Sequence, residues 1–111
     1  MTQTLPGPAD PEKPAPVPHA LRALHARALG AFAAGRYRRA LPLLGRLVLA
    51  LPVGNSLRPT VRGCLARAFI ELGNVAAARR ELGHALAAEP QNSTFRTVQK
   101  LLRRAERERP L

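Results

Sequence analysis

A pattern of small residues and prolines recurs after 38 positions in this chain of 111 residues. The first copy contains Ala28, Gly35, Tyr37, Ala40, Gly45, Ala50 and Pro52, and the second contains Ala66, Gly73, Val75, Ala78, Gly83, Ala88 and Pro90. A fixed period of this length is typical of a repeated helix–turn–helix unit, in which a glycine allows the turn and a proline ends the second helix. Because such units stack on their neighbours, the pattern predicts a short series of helical hairpins.

The apolar residues recur with a helical period throughout, and no segment alternates with a period of two. We therefore expect an all-α fold of five helices, near residues 19–34, 37–51, 57–72, 75–89 and 93–108. Ser56 and Ser93 are the expected N-caps of the third and fifth helices. The most regular inward stripe is that of the third helix, with Val61, Cys64, Leu65, Ala68, Phe69 and Leu72. Leu43 and Leu49 lie off the inward stripe of the second helix, so we expect both to expose apolar surface.

The repeated small residues have a packing role in this interpretation. Two antiparallel helices approach closely only where the contact positions are small, so we expect Ala28 to face Ala40 and Ala66 to face Ala78. Ala31 and Phe69 are expected in the neighbouring layer.

The first 18 residues contain six prolines and predict a disordered, Pro-rich leader, followed by a helical domain over residues 19–111. This leader lacks the basic start and apolar run of a secretory signal. The most apolar window, residues 40–54, carries Arg46 and is shorter than the ~20 residues of a membrane span. The single cysteine, Cys64, permits no internal disulfide, which favours the cytoplasm.

The charge distribution is strongly asymmetric. The formal net charge is +11, and no acidic residue occurs between Glu12 and Glu71, a stretch with ten basic side chains. One interpretation is an arginine-rich composition of the kind that GC-rich coding sequences produce. The other is an acidic protein or nucleic-acid partner. The sequence leaves both open.

Two stretches carry a resemblance to a known family. The segments ALGAFAAGRYRRALPLLGRLVLALP and CLARAFIELGNVAAARRELGHALAAEP resemble two tetratricopeptide repeats, at about residues 20–53 and 58–91, followed by a capping helix at about 93–108. The family repeat is about 34 residues long, so the 38-residue period implies a longer loop between the two copies. Leu24 and Arg62 stand where the family favours an aromatic residue, and Arg27 replaces an expected leucine.

The resemblance implies a concave groove lined by the first helix of each repeat and by the capping helix. The groove residues it indicates are Arg22, His25, Leu29, Phe32, Arg67, Ile70, Glu71, Thr97, Leu101 and Arg104. A groove of arginines and aliphatic residues suits a peptide or helix with apolar anchors and acidic flanks.

The residue patterns of catalysis and metal binding are missing from the sequence. His19, His25 and His84 are not spaced as metal ligands and have no cysteine or carboxylate cluster beside them. Cys64 lies on an inward stripe, where a small core residue is expected, and Glu71 is expected to pair with Arg67 one helical turn away. We therefore expect neither enzymatic activity nor a cofactor.

Three functional hypotheses follow from the sequence. The leading one is a non-catalytic protein-binding module, either an adaptor or a small chaperone. The second is a basic nucleic-acid-binding protein, although four aromatic residues leave few rings for base stacking. The third is a scaffold subunit or homodimer that associates through the open end formed by residues 95–105.

Overall fold

The computed structural model describes residues 17–108, which form an all-helical stack. A 3₁₀ turn at His19–Leu21 leads into five helices, and their bounds are α1 Arg22–Ala33, α2 Tyr37–Ala50, α3 Leu57–Glu71, α4 Val75–Ala88 and α5 Ser93–Glu108. The predicted all-α class is thereby confirmed. The proposed disordered leader falls, for residues 1–16, outside the described part of the chain.

Glycine turns join the helices within each hairpin. Gly35 has φ +75° between α1 and α2, and Gly73 has φ +82° between α3 and α4. In the first turn the Arg36 amide donates to the Ala31 carbonyl at 2.9 Å and the Gly35 amide donates to the Phe32 carbonyl at 3.0 Å. The second turn repeats the same two bonds, so each first helix ends in the Schellman arrangement that favours glycine.

The predicted alanine positions are buried in both hairpins. Ala28 and Ala40 are 0% exposed in the first hairpin, and Ala66 and Ala78 are 0% exposed in the second. With no side chain beyond Cβ, these residues let the two helices of each hairpin lie close together.

The core has two parts that meet in α3. The first core fills the space between α1, α2 and the N-terminal part of α3, and Val61 and Leu65 are its α3 members. The second core joins α3, α4 and α5 and includes Leu82 and Phe95. Phe69 is half-buried and packs against both cores, so this one ring connects them.

The two connections between successive units differ. Residues 51–56 join α2 to α3, whereas residues 89–92 join α4 to α5. In the longer connection Gly54 has φ +86°, and Arg58 Nη1 donates to the Leu51 carbonyl at 3.1 Å.

Asparagines, rather than the predicted serines, cap the helices after these connections. Asn55 Oδ1 accepts from the Leu57 amide at 2.9 Å, and Asn92 Oδ1 accepts from the Phe95 amide at 3.1 Å. Ser56 occupies the N-cap position of α3 without a side-chain cap bond, and Ser93 is the first residue of α5. The predicted N-cap position of Ser56 is confirmed but its capping bond is not, and the prediction for Ser93 was wrong. In both cases the asparagine one residue earlier already satisfies a free amide at the helix start.

Helix α5 is held by an aromatic ring that fits against a glycine. A Cβ atom added to Gly63 on α3 would lie 2.6 Å from Cε1 of Phe95. Phe95 is 2% exposed, and α5 packs on both α4 and α3. By contrast, α3 packs on α2 and makes little or no contact with α1. The stack is therefore more closed between α3 and α5 than between α1 and α3.

Three leucines test the predicted faces. Leu49 is 80% exposed, as expected, but Leu43 is 8% exposed and belongs to the first core. Leu43 was assigned wrongly because its face of α2 turns toward α1 rather than to solvent. Leu72 is 36% exposed instead of buried, since it follows the last residue of α3 and lies beyond the packed part of the helix.

Candidate functional site

A cavity between α3 and α5 brings together some of the residues that the sequence analysis assigned to a groove. This cavity of about 480 Å³ is lined by Ile70, Glu71, Gly73, Leu101, Arg104, Ala105 and Glu108. Four of the ten predicted groove residues line it together, namely Ile70, Glu71, Leu101 and Arg104. Ile70 and Leu101 are half-buried, so each offers an aliphatic surface next to charged neighbours. We call this cavity the α3–α5 groove.

The charges of the α3–α5 groove compensate one another. Arg67 Nε lies 2.9 Å from Glu71 Oε1, and Arg104 Nε lies 3.2 Å from Glu108 Oε1. Both pairs are one helical turn apart, and the Arg67–Glu71 pair is the one expected from the sequence. The groove therefore combines aliphatic surface with one ion pair of its own lining, Arg104–Glu108, and with Glu71, whose partner Arg67 lies outside the lining.

The other predicted residues do not line this cavity. Thr97 is exposed, and its Oγ1 donates to the Ser93 carbonyl of its own helix at 3.1 Å. On α1, His25 and Leu29 are half-buried and Arg22 is exposed. Phe32 makes an edge-to-face contact with Tyr37, with ring centroids 5.8 Å apart, which occupies part of its ring within the first hairpin.

A second groove was not anticipated from the sequence. It lies between α1 and α2 and has a volume of about 780 Å³. Its lining is made of small or apolar residues and four arginines, in chain order Ala26, Arg27, Gly30, Ala31, Ala34, Arg36, Arg39, Pro42, Leu43 and Arg46. None of the lining residues is acidic. We call this surface the arginine groove.

A position-by-position comparison of the two repeats could have indicated the arginine groove. Val61 and Leu65 of α3 are buried in the first core, whereas Ala23 and Arg27, 38 positions earlier, are exposed. The corresponding face of α1 therefore lacks the covering that α2 gives to α3. On α2, Arg39 and Arg46 are seven residues apart, which places them on one face two turns apart.

The remaining chemical candidates have structural explanations. Cys64 packs against the first core, and burial raises the pKa of its thiol, which keeps it protonated and unreactive near neutral pH. Across residues 17–108, His, Cys, Asp and Glu side chains do not gather in groups of three or more that could hold a metal ion. Within the same residues, none of the helices combines the length and the apolar character that crossing a membrane demands.

Stacked helical hairpins with grooves between their helices define a short helical-repeat protein. The family model of the tetratricopeptide repeat matches residues 31–102, more than half of the chain, and the chain belongs to this family. No curated protein and no solved structure matches the chain. Tetratricopeptide repeats generally mediate protein–protein interactions and are typically non-catalytic.

Proposed function

We propose that this chain is an adaptor or a small chaperone that holds a peptide or helix of a partner protein in its concave groove, without catalysing a reaction. The α3–α5 groove is the observation that supports this proposal most directly. Ile70 and Leu101 present half-buried aliphatic surface on facing helices, and Arg104 lies beside them. Apolar anchors of an extended or helical segment fit a surface of this kind.

The paired charges indicate how such a partner would be oriented. Arg67 and Arg104 each contact a glutamate through Nε, so an acidic residue of the partner would bind their Nη groups or compete with Glu71 and Glu108. Arg22 on α1 is exposed and has no ion pair within residues 17–108. In this proposal the partner's apolar residues contact the α3–α5 groove and its acidic flank extends toward Arg22.

The hypothesis of a homodimer through residues 95–105 has less support. Phe95, Val98 and Leu102 are each at most 6% exposed and belong to the second core. The exposed side of this segment carries Lys100, Arg103 and Arg104. Two copies would therefore meet through like charges rather than through apolar surface. We also propose that the protein acts in the cytoplasm, the compartment that the single cysteine favours.

Partner capture with matched variants tests the proposal. The full chain, immobilised and exposed to lysate of its native host, should retain a specific protein that mass spectrometry identifies. Arg104→Glu, at an exposed position, and Ile70→Asp should each abolish retention, whereas Leu49→Asp on the 80% exposed Leu49 should not. The thermal unfolding of each variant shows whether it is folded. A partner retained equally by all folded variants would contradict the proposed groove.

A further inference from the structure

We infer that the arginine groove is a second docking site, distinct from the α3–α5 groove, and that its occupant is an amphipathic helix of a partner protein with acidic residues on one side. Three observations point to this occupant: the shape of the groove, the covering of the equivalent surface elsewhere in the chain, and four arginines that have no partner among residues 17–108.

The residues on the α1 side of the groove are small enough for a second helix to approach closely. Ala26 and Gly30 on α1 and Ala34 at its C-cap recur every four residues, and all three are exposed. A Cβ atom placed on Gly30 would meet no other atom within 4 Å. Ala31 and Leu43, each 8% exposed, form the floor between the two helices. Small residues at such positions let the axis of a second helix come near.

The chain itself shows what covers this surface in the second hairpin. Ala68 stands 38 positions after the exposed Gly30 and is 0% exposed. Cys64, the counterpart of Ala26, packs against the first core. Helix α2 packs on α3, and it supplies five of the buried residues in the core that Cys64 contacts. A helix of a partner would therefore cover α1 in the manner in which α2 covers α3.

The charge of the groove selects an acidic occupant. Within residues 17–108, the side chains of Arg27, Arg36, Arg39 and Arg46 have neither a hydrogen bond nor an ion pair with another residue. Several arginines of the second half differ in this respect. Four of them, on α3, α4 and α5, lie 3.3 Å or less from a glutamate oxygen, namely Arg62, Arg67, Arg79 and Arg104. Carboxylates supplied by a partner would give the groove the charge-assisted bonds that residues 17–108 do not supply.

The spacing of the arginines sets a pattern for the partner helix. Arg39 and Arg46 lie two turns apart on α2, roughly 10 Å along the helix axis. A partner helix that runs along α2 would reach both with Asp or Glu at positions i and i+7, beside a stripe of alanine or leucine that covers the floor. A nucleic acid fits less well, because the lining contains no aromatic ring for base stacking and its floor is apolar.

Site-specific photo-cross-linking in the native host is the first test. The full chain carries p-benzoylphenylalanine in place of the exposed Ala34 at the groove edge, and a matched chain carries it in place of the exposed Ala87 on α4. Capture of a protein is not sufficient support. The cross-linked segment must be helical in sequence pattern and carry acidic residues at i and i+7. Cross-links to RNA, to a second copy, to residues 1–16 or at equal yield from both chains would overturn the inference.

Affinity measurements with the cross-linked segment complete the test. A synthetic peptide of that segment is titrated against the full chain by fluorescence anisotropy. Arg39→Glu/Arg46→Glu should weaken binding at least about tenfold, whereas Arg103→Glu/Arg107→Glu, with the same change in net charge on exposed positions of α5, should change it little. Equal weakening by both double variants would show non-specific attraction and contradict the assigned site. Ile70→Asp should leave this affinity unchanged, which separates the inference from the proposed function.

Discussion

The two hairpins use the same turns and the same contact alanines, but they fill the space between their helices differently. In the first hairpin Leu24 and Leu43 contribute to an apolar core. At the corresponding positions of the second hairpin, 38 residues later, Arg62 Nη1 and Glu81 Oε2 form an ion pair of 2.8 Å. Two leucines of the first core and an ion pair thus occupy equivalent positions in the two hairpins.

This difference separates residues that make a hairpin from residues that define its surroundings. The repeated glycines and alanines set the turn and the helix spacing in both copies. The non-repeated positions decide what each hairpin contacts next. Gly63 on α3 lies against Phe95 of α5. Its counterpart on α1, 38 residues earlier, is His25, and α1 makes little or no contact with α3. One junction of the stack is therefore tight and the other is open.

The largest expected effect comes from loosening the tight junction. Phe95→Ala should lower the free energy of unfolding by about 3–5 kcal/mol, because it removes a buried ring and leaves a cavity against Gly63. Chemical denaturation followed by circular dichroism measures the change. Leu49→Ala, at an 80% exposed position, serves as the control and should stay within about 0.5 kcal/mol. A loss below about 1 kcal/mol for Phe95→Ala would mean that α5 is held by other contacts.

Exchanging the interior of one hairpin for that of the other should give the next largest effect. Glu81→Leu leaves Arg62 half-buried without its partner and should cost about 1–2 kcal/mol, between the values for exposed and buried pairs. Adding Arg62→Leu should recover most of that loss, because the double variant recreates the leucine pair of the first hairpin. Denaturation of the wild type, both single variants and the double variant gives the coupling directly. Additive losses would show that the two positions act independently.

A pair of glycine substitutions sharpens the contrast between junctions. Gly63→Ala should destabilise the chain by about 1 kcal/mol, since overpacking against Phe95 outweighs the gain in helix propensity. Gly83→Ala on α4 should instead stabilise by about 0.5–1 kcal/mol, because a Cβ atom there meets nothing within 4 Å. Thermal unfolding of both variants tests the opposite signs. The same sign for both would contradict the close fit of Phe95.

The smallest effect is expected at the ion pair between Arg67 and Glu71, which is more exposed than Arg62–Glu81. Arg67→Ala removes the pair with Glu71 and should change the free energy of unfolding by no more than about 0.5 kcal/mol. The difference from wild type should shrink further in about 0.5 M NaCl, where exposed charges are screened. A change as large as that of Glu81→Leu would mean that exposure does not distinguish the two ion pairs.

The sequence predicted the hairpins better than it predicted their surfaces. The periods of Gly35/Gly73 and Ala28/Ala66 indicated turns and close contacts because these depend on local backbone geometry and residue size. Leu43 was misplaced because its burial depends on which way α2 rotates against α1, and a helical period alone does not settle that rotation. The arginine groove was missed for a related reason: Arg27 and Arg39 lie on different helices and become neighbours only in the folded hairpin.

Phe69 packs against both cores, and this has a consequence for cooperativity. In a linear stack, each unit is stabilised mainly by its neighbour, and the contacts between units determine whether they unfold together. The ring of Phe69 loses part of its packing when either hairpin opens, so local opening of one hairpin weakens the other. A ligand held at one end of the stack should therefore slow amide hydrogen exchange at the far end.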